Sequence, residues 1–426
     1  TARSGDGAAY GGSVIRTVYR YALVRVAVAC LLYVVVAGAL WGGRAYAPAS
    51  LRFIAVLLVS SIMDGFTGAV QAGLVGRERF GYAFAMSAVQ TALRLTLVAG
   101  AVWLEAGLLA VAWAWTAGAA AGALVAVAVL HVALPAERDA ARQLGPGLPL
   151  LHWVREGWAF LVIGVVATLE YQQDMIVLSA FRPLSDVGYY SVATTLFAAA
   201  ALPIQAVRSV LFPQMARVAA QTGSDDGADG DLRRLYAYST RWMLALGLLL
   251  TFLGIVYAPP VIRLLFGAEM IPAAQTTRVL MAAMLFFALN VPQSRFLLAT
   301  GRQNRTAALI AASTVANLAA NLLLVRHYGA AGAALARNIS TALYFALAVW
   351  ALTGAVNRPS WPGIFAPVAA LLPAAGTAWA TTGWPWWLSA PVSALAYAGA
   401  LTALLTVTKP RNRLPGGAGP NPRPAG

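Results

Sequence analysis

The sequence predicts an all-α integral membrane protein with about twelve transmembrane helices. Of its 426 residues, 60% are hydrophobic and only 11% are charged, whereas a soluble domain has about 25% charged residues. The apolar residues collect in runs of roughly 20, the length of a helix that crosses a bilayer. A soluble fold of this size lacks the charged surface needed to cover so much apolar area, whereas lipid covers it directly.

The apolar runs define the predicted spans in chain order. They lie at 22–42, 53–75, 81–104, 107–133, 157–180, 187–212, 236–257, 275–299, 304–325, 329–354, 363–382 and 386–407. In two places one predicted span follows the previous span almost directly. Tight turns are predicted there, at Gly107 and Gly329. The sequence of segment 76–130 is similar to that of segment 301–352, and both segments are predicted to begin on the same side of the membrane. Such a parallel repeat predicts two lobes related by an axis along the membrane normal.

Changes in composition divide the chain into segments. Residues 1–133 are predicted to form an N-terminal lobe of four spans, and 134–156 a cytoplasmic linker marked by a Gly-Pro-Gly run. Residues 157–354 form a C-terminal lobe of six spans, and 355–408 add two more. The tail 409–426 is rich in proline and glycine, which predicts disorder.

The chain is strongly basic, with 30 Lys and Arg against 15 Asp and Glu. Most of these basic residues lie in one set of short loops, so we interpret them as orienting the protein with both termini in the cytoplasm, not as a nucleic-acid site. The one lysine, Lys409, stands between Thr408 and Pro410. A Walker A loop needs Gly-Lys-Ser/Thr, so the chain carries no P-loop ATPase.

Short motifs follow one another in the second lobe in a characteristic order. They are Asp174-Met175-Ile176-Val177-Leu178, Val187-Gly188-Tyr189-Tyr190-Ser191-Val192-Ala193, Leu211-Phe212-Pro213, Leu264-Leu265-Phe266-Gly267, Leu298-Ala299-Thr300-Gly301-Arg302, Asn317, Asn321 and Tyr328-Gly329-Ala330-Ala331-Gly332-Ala333-Ala334. This order and spacing resembles that of the polysaccharide (lipid-linked oligosaccharide) flippases of the multidrug/oligosaccharidyl-lipid/polysaccharide exporter superfamily. The resemblance covers roughly 157–354 and extends into the first lobe from the family's third helix onward, so the family's first two helices are expected to be missing.

The resemblance implies a transporter, not an enzyme, and no cofactor. It would flip an undecaprenyl-diphosphate-linked oligosaccharide across the bacterial cytoplasmic membrane by alternating access, for cell-surface polysaccharide export. We expect a multi-pass monomer. Beyond the lipid-linked substrate and the bilayer, the expected partner is polysaccharide polymerase machinery.

Ionisable residues inside spans are costly, so each is a functional candidate. A lipid diphosphate requires cations, and arginine binds phosphate oxygens through paired donors. We therefore predict substrate contacts for Arg94 and Arg337, in a cavity that also holds Asp64. Arg208 and Arg295 are further candidates, at a cytoplasmic gate. The alternatives are an ion pair between Arg94 and Asp64 and, for Arg208 and Arg295, snorkelling to the headgroups.

Glu170 and Asp174 lie four residues apart on one helix face, beside Gln173. Two carboxylates so close together repel each other, which favours capture of a proton or a sodium ion. They are our ion-coupling candidates. A hydrogen-bonding stripe between helices is the alternative, and the three histidines show no metal-ligand spacing.

Three other functions remain as alternatives. An ion-coupled drug/cation antiporter of the same superfamily would share the fold and differ in the charge of its cavity. A lipid II flippase is another close relative. A membrane glycosyltransferase or polymerase is disfavoured because such enzymes need a large extracytoplasmic loop, and the outer loops here are short.

Overall fold

Helices account for the regular secondary structure in the described part of this computed structural model. The described residues are 48–76, 79–133, 172–221, 226–353 and 361–407. Outside them lie the predicted span 22–42, most of the span 157–180, the linker 134–156 and the tail 409–426. The chain divides into two compact units, Thr1–Gly157 and Trp158–Gly426.

The described part of the first unit contains three long helices: α1 (Pro48–Gly76), α2 (Phe80–Trp103) and α3 (Gly107–Ala133). Helix α3 packs against both of the others. It approaches α2 very closely at Gly118, where a Cβ atom would come within 2.8 Å of the Arg94 Cα. Small residues of this kind allow helices to pack tightly in lipid, where no hydrophobic effect drives them together.

From residue 172, where its description starts, the second unit first shows four helices. These are α4 (172–181), α5 (Leu184–Ala200), α6 (Leu202–Gln221) and α7 (Asp226–Phe266). The predicted span 187–212 is therefore two helices, α5 and α6, which meet at a bend of 48°. Pro203 explains the bend, because it has no N–H to donate to the Ala199 carbonyl one turn earlier.

After a short 3₁₀ turn at Ala268–Met270, the second unit continues with five more helices. They are α8 (Ala273–Ala299), α9 (Gln303–Ala351), α10 (Trp361–Ala369), α11 (Leu371–Ala380) and α12 (Trp386–Val407). The predicted span 363–382 thus breaks into α10 and α11 at Ala370. Pro373 lies four residues after Ala369 and leaves the Ala369 carbonyl without its helical partner.

Helix α9 contains two predicted spans, 304–325 and 329–354, separated by a break at Gly329. The backbone there has φ 56° and ψ −134°, which is not helical. Gly332 packs against the Leu324 backbone, so the two halves approach closely just beyond the break. The turn at Gly107 uses the same device, with φ 82°. Both glycines predicted to form tight turns therefore adopt conformations that side chains disfavour.

Helix α8 lies at the centre of the second unit and packs against α5, α6, α7 and α9. Its side chains Leu280, Met281, Met284 and Leu297 are buried in the largest apolar core. Helix α2 is the opposite case, with Phe84 76% exposed and Trp103 84% exposed. Large apolar side chains facing outward are expected where the solvent is lipid.

In the described part of the chain, seven helices are long and apolar enough to cross a membrane, or eight if α5 and α6 together form one span. That count takes α9 as one helix, although its break at Gly329 separates two predicted spans. The protein is therefore a multi-pass, all-α membrane protein, as predicted.

Helices α10 to α12 pack against α7. The Tyr257 hydroxyl of α7 lies 2.9 Å from the Ser389 Oγ and 3.0 Å from the Ser393 Oγ of α12. The Tyr397 hydroxyl of α12 donates to the Ala245 carbonyl at 2.9 Å. Buried hydroxyls inside a membrane protein need such partners, so these bonds fix α12 against α7.

Candidate functional site

The first unit contains an ion pair between adjacent spans. The Arg94 Nη2 of α2 lies 2.6 Å from the Asp64 Oδ1 of α1, and the Gln90 Nε2 donates to the same oxygen at 2.8 Å. The Arg94 guanidinium also stacks 4.4 Å from the centroid of the Trp115 ring of α3. The sequence left open whether Arg94 pairs with Asp64, and the structure shows that it does. Arg94 is therefore neutralised within its own unit.

The second unit buries a carboxylate, Asp174 of α4, with no exposed surface. Arg337 of α9 donates to its Oδ2 from Nη2 at 2.6 Å and from Nε at 3.1 Å. The Tyr190 hydroxyl of α5 donates to the same oxygen at 2.6 Å, and the Asn321 Nδ2 to Oδ1 at 2.8 Å. The structure thus joins two predicted site residues that are 163 positions apart.

Amides extend the Asp174 network through the core of the second unit. Gln173 donates to the Asn317 side chain and to the Thr314 carbonyl. Asn317 in turn donates to the Ser340 Oγ at 3.2 Å. Buried polar networks are stable only when their members find partners. The sequence allowed either ion coupling or a hydrogen-bonding stripe between helices for the helix face that carries Asp174. The observed bonds have the form of such a stripe.

The geometry leaves Asp174 little capacity for an ion. A carboxylate has about four lone-pair sites, and four donor contacts from Arg337, Tyr190 and Asn321 fall on its two oxygens. The Arg337 guanidinium already supplies the positive charge that a coupling cation would bring. The second predicted coupling residue, Glu170, lies outside the described residues. Within those residues, no group of three or more His, Cys, Asp or Glu could hold a metal ion.

A cavity of about 240 Å³ lies within the second unit, between α5, α6, α8 and α9. Its lining residues are Tyr190, Thr194, Phe197, Gln205, Arg208, Leu280, Phe287, Asn290, Val291, Ser294, Ile310, Ser313, Arg337, Thr341 and Tyr344. Two of the predicted substrate-binding arginines, Arg208 and Arg337, therefore line the same cavity.

Arg208 and Arg295 lie on α6 and α8, close enough for their charges to interact, and Tyr344 of α9 lies near both. Arg208 contacts the Gln205 Oε1 at 3.4 Å, and the Arg295 guanidinium lies 5.8 Å from the Phe212 ring centroid. Among the described residues, neither arginine forms an ion pair with a carboxylate, and the buried Arg295 Nε has no hydrogen-bond partner. Two like charges held together in this way favour an anion between them.

Several residues of the site were not predicted to belong to it. Tyr190, Asn317 and Asn321 surround Asp174, and Asn290 and Tyr344 line the cavity. A signal existed for one pair, because Asn317 and Asn321 are four residues apart in a mostly apolar span and so share a helix face. No comparable spacing links Tyr190 or Asn290 to the arginines.

Comparison with known proteins identifies the family. The family model described as lipid II flippase MurJ matches residues 4–401. The chain belongs to the lipid II flippase family. The predicted superfamily and the flippase class are thus confirmed, and the matching family is the one that the sequence left as a close alternative to the polysaccharide flippases.

A curated relative of this lipid II flippase family member is the probable low-salt glycan biosynthesis flippase Agl15 of Haloferax volcanii. The two are 23% identical over 310 residues, which cover 70% of this chain and 64% of that protein. The chain therefore spans slightly less than two thirds of the length of that relative.

Solved structures share the fold of this family member. The lipid II flippase MurJ in an inward closed conformation matches with a TM-score of 0.70 at 12% identity, covering 94% of this chain and 84% of that one. An inward-facing multidrug resistance MATE family transporter matches with a TM-score of 0.65 at 15% identity, covering 82% and 87%. At these identities the matches show the fold alone.

Proposed function

We propose that this chain flips a polyprenyl-diphosphate-linked glycan, of the lipid II or lipid-linked oligosaccharide type, across the cytoplasmic membrane. Membership of the lipid II flippase family supports this function, as does the similarity to a glycan biosynthesis flippase. The reaction makes and breaks no covalent bond. Both chain ends face the cytoplasm, and the flipped glycan passes to polymerising enzymes on the other side.

The arginine pair beside the cavity is the observation on which the proposal depends. Arg208 and Arg295 lack a carboxylate partner among the described residues, whereas Arg94 and Arg337 each have one. A diphosphate supplies two adjacent negative charges, and guanidinium groups bind phosphate oxygens through paired donors. We therefore assign the diphosphate contact to Arg208 and Arg295. Asp64 and Asp174 then serve to hold Arg94 and Arg337 in place.

The same charges disfavour the antiporter alternative. A cationic drug needs an available carboxylate, and the one carboxylate beside this cavity in the described part of the second unit, Asp174, is already paired with Arg337. The like charges of Arg208 and Arg295 would repel a cation. The match to a MATE family transporter supports only a shared fold, so it is not evidence for an antiporter.

Transport in reconstituted vesicles tests the proposal. Wild-type protein should flip a fluorescent polyprenyl-diphosphate oligosaccharide, and Arg208→Ala and Arg295→Ala should each slow it about tenfold or more, since hydrogen bonds to charged groups are the strong ones. Arg263→Ala is the matched control, because Arg263 is an exposed arginine in the last turn of α7 that contributes nothing to the cavity. It should flip at the wild-type rate.

Two outcomes would overturn the proposal. One is flipping at the wild-type rate by both Arg208→Ala and Arg295→Ala. The other is a wild-type protein that flips no lipid and exports cationic dyes instead.

Ion coupling is tested in the same vesicles, where Glu170→Gln should lose dependence on an imposed ion gradient. Gradient dependence that survives in this variant would remove Glu170 from the mechanism.

A further inference from the structure

The cavity that Arg208 lines is also lined by hydroxyl groups whose hydrogens are already used. Ser294, Ser313 and Thr341 line the cavity. Ser294 donates to the Val291 carbonyl at 3.0 Å, Ser313 to the Ile310 carbonyl at 2.8 Å, and Thr341 to the Arg337 carbonyl at 2.8 Å. A hydroxyl has one hydrogen and two lone pairs, so each of these groups offers a ligand only acceptor sites.

The Asn290 side chain also lines the cavity and brings an amide oxygen to it. Its Nδ2 donates to the Thr341 carbonyl at 3.1 Å, which fixes the orientation of the side chain. Its buried Oδ1 finds no hydrogen-bond partner among the described residues. An orphaned buried acceptor is costly unless a ligand or water donates to it. We name Asn290, Ser294, Ser313 and Thr341 the acceptor wall.

The acceptor wall selects for a ligand that donates hydrogen bonds and carries no charge. Phosphates and carboxylates have only acceptors at neutral pH, so this wall repels them. Ammonium groups donate, but Arg208 on the same cavity, which has no carboxylate partner among the described residues, repels cations. Neutral hydroxyl groups satisfy both conditions. Aromatic side chains complete the cavity, with the Phe197 and Phe287 rings 5.7 Å apart, and the apolar face of a sugar ring packs well on such surfaces.

The size of the cavity limits what it holds. Its volume of about 240 Å³ is below the roughly 300–1,000 Å³ of pockets that enclose a drug-sized ligand. It has room for one sugar ring. The ring that lies beside the diphosphate is the first sugar of the chain.

We infer that this cavity binds the first sugar residue of the lipid-linked substrate, and that the acceptor wall recognises its hydroxyl groups. The inference rests on the proposed function, because Arg208 places the diphosphate at the edge of the same cavity. It makes Asn290, Ser294 and Ser313 specificity-determining residues, distinct in role from the arginines that bind the phosphates.

Two probes separate sugar recognition from phosphate recognition. Detergent-solubilised full-length chain is titrated by calorimetry with a short-chain polyprenyl diphosphate and with the same lipid carrying one neutral hexose. Wild type should bind the glycosylated lipid about tenfold more tightly. The double variant Ser294→Ala/Ser313→Ala should reduce this ratio about three- to tenfold while leaving the affinity for the bare lipid unchanged.

Controls keep the result specific. Ser179→Ala removes an exposed hydroxyl that also donates to its own helix and lies away from the cavity, so the ratio should not change. Arg208→Ala should weaken both lipids equally. Asn290→Leu is the second test of the wall, and a thermal scan of each variant checks that it is folded.

The outcomes distinguish the two proposals. Equal affinity of wild type for both lipids, with a loss of both in Arg208→Ala, overturns the sugar site and keeps the flippase. A ratio unchanged in Ser294→Ala/Ser313→Ala and in Asn290→Leu also overturns the sugar site. No binding of either lipid, or no effect of Arg208→Ala, overturns the proposed function and the sugar site with it.

Discussion

Asp174 of α4 and Arg337 of α9 form a buried ion pair that joins two helices distant in the sequence. Asp174 has no exposed surface, and the side chain of Arg337 is 12% exposed. A charge buried in hydrocarbon is expensive unless it is paired and hydrogen-bonded. Both conditions are met here by the guanidinium, Tyr190 and Asn321. Removing one partner therefore leaves the other as an uncompensated buried charge.

We expect Asp174→Asn and Arg337→Gln each to destabilise the protein by about 3–5 kcal/mol. The double variant should recover part of this loss, because no unpaired charge remains. Thermal unfolding in detergent, followed by tryptophan fluorescence, measures the three values. Asp231→Asn breaks the exposed pair with Arg234 and should cost less than about 1 kcal/mol. Losses in the two single variants as small as this control would contradict the prediction.

The two buried ion pairs were unequally predictable from sequence. Asp64 and Arg94 lie at similar depths on consecutive spans, and their pairing was foreseen as an alternative to substrate binding. Asp174 and Arg337 are 163 residues apart. Their contact depends on how α4 and α9 pack, which no local spacing encodes. Sequence spacing instead paired Asp174 with Glu170, because residues four apart share a helix face.

At the scale of elements, the break in α9 depends on Gly329. Its φ of 56° lies where side chains are strained, and a Cβ atom would come within 2.5 Å of the Asp186 Oδ2. That carboxylate is fixed by an ion pair with Arg182 at 2.8 Å. The turn between α4 and α5 thus lies directly against the turn inside α9.

We expect Gly329→Ala to destabilise the protein by about 1–3 kcal/mol from backbone strain, and further by displacing Asp186. Gly188→Ala is the matched control, since Gly188 lies inside α5 with open space around its Cα. It should be neutral or stabilising by roughly 0.5–1 kcal/mol. The same thermal unfolding assay measures both, and equal effects at the two positions would refute the account of the turn.

Helix α7 contains Pro259 and Pro260. Pro259 has no N–H to donate to the Ile255 carbonyl one turn earlier. The Arg278 Nε of α8 donates to that carbonyl at 3.1 Å. The structure gives Arg278 a definite partner, which replaces the bond that proline removes.

A double-mutant cycle tests this substitution of partners. Arg278→Ala should cost about 1.5–3 kcal/mol in the wild-type background. In a Pro259→Ala background the helix regains its N–H, and Arg278→Ala should cost clearly less. The coupling is read from thermal unfolding of the four proteins. Equal costs in both backgrounds would mean that Arg278 acts elsewhere.

Most span positions were predictable because apolar length alone identifies them in lipid. The spans that bend between α5 and α6 and break between α10 and α11 contain Pro203 and Pro373, but a proline inside a span is compatible with either a kink or a continuous helix. Pro292 explains the difficulty, because α8 continues through it unbroken. Whether a proline bends a helix depends on whether neighbouring groups donate a hydrogen bond to the carbonyl that the proline leaves unpaired. Those neighbours are set by the tertiary packing and not by the local sequence.

At the scale of the whole molecule, the distribution of arginines predicts orientation. The chain has one cysteine, Cys30, so a Cys30→Ala background permits single-cysteine labelling. We expect Arg411→Cys to react with a membrane-impermeant maleimide only in inverted vesicles. Tyr328→Cys, beside the turn of α9 at an exposed position, should react only in intact cells. The reverse pattern would place both termini outside.

Helix α7 has a mechanical consequence that follows from its length. Its 41 residues extend about 60 Å, roughly twice the 30 Å thickness of the hydrocarbon layer. The Tyr236 ring near its start packs 5.3 Å from the Phe296 ring of α8, so this half stays attached to the unit. Towards its other end, the Tyr257 bonds attach it to α12. Helix α7 therefore continues without a break from its contact with α8 to its contact with α12, and we expect a displacement of its first half to be transmitted to α12.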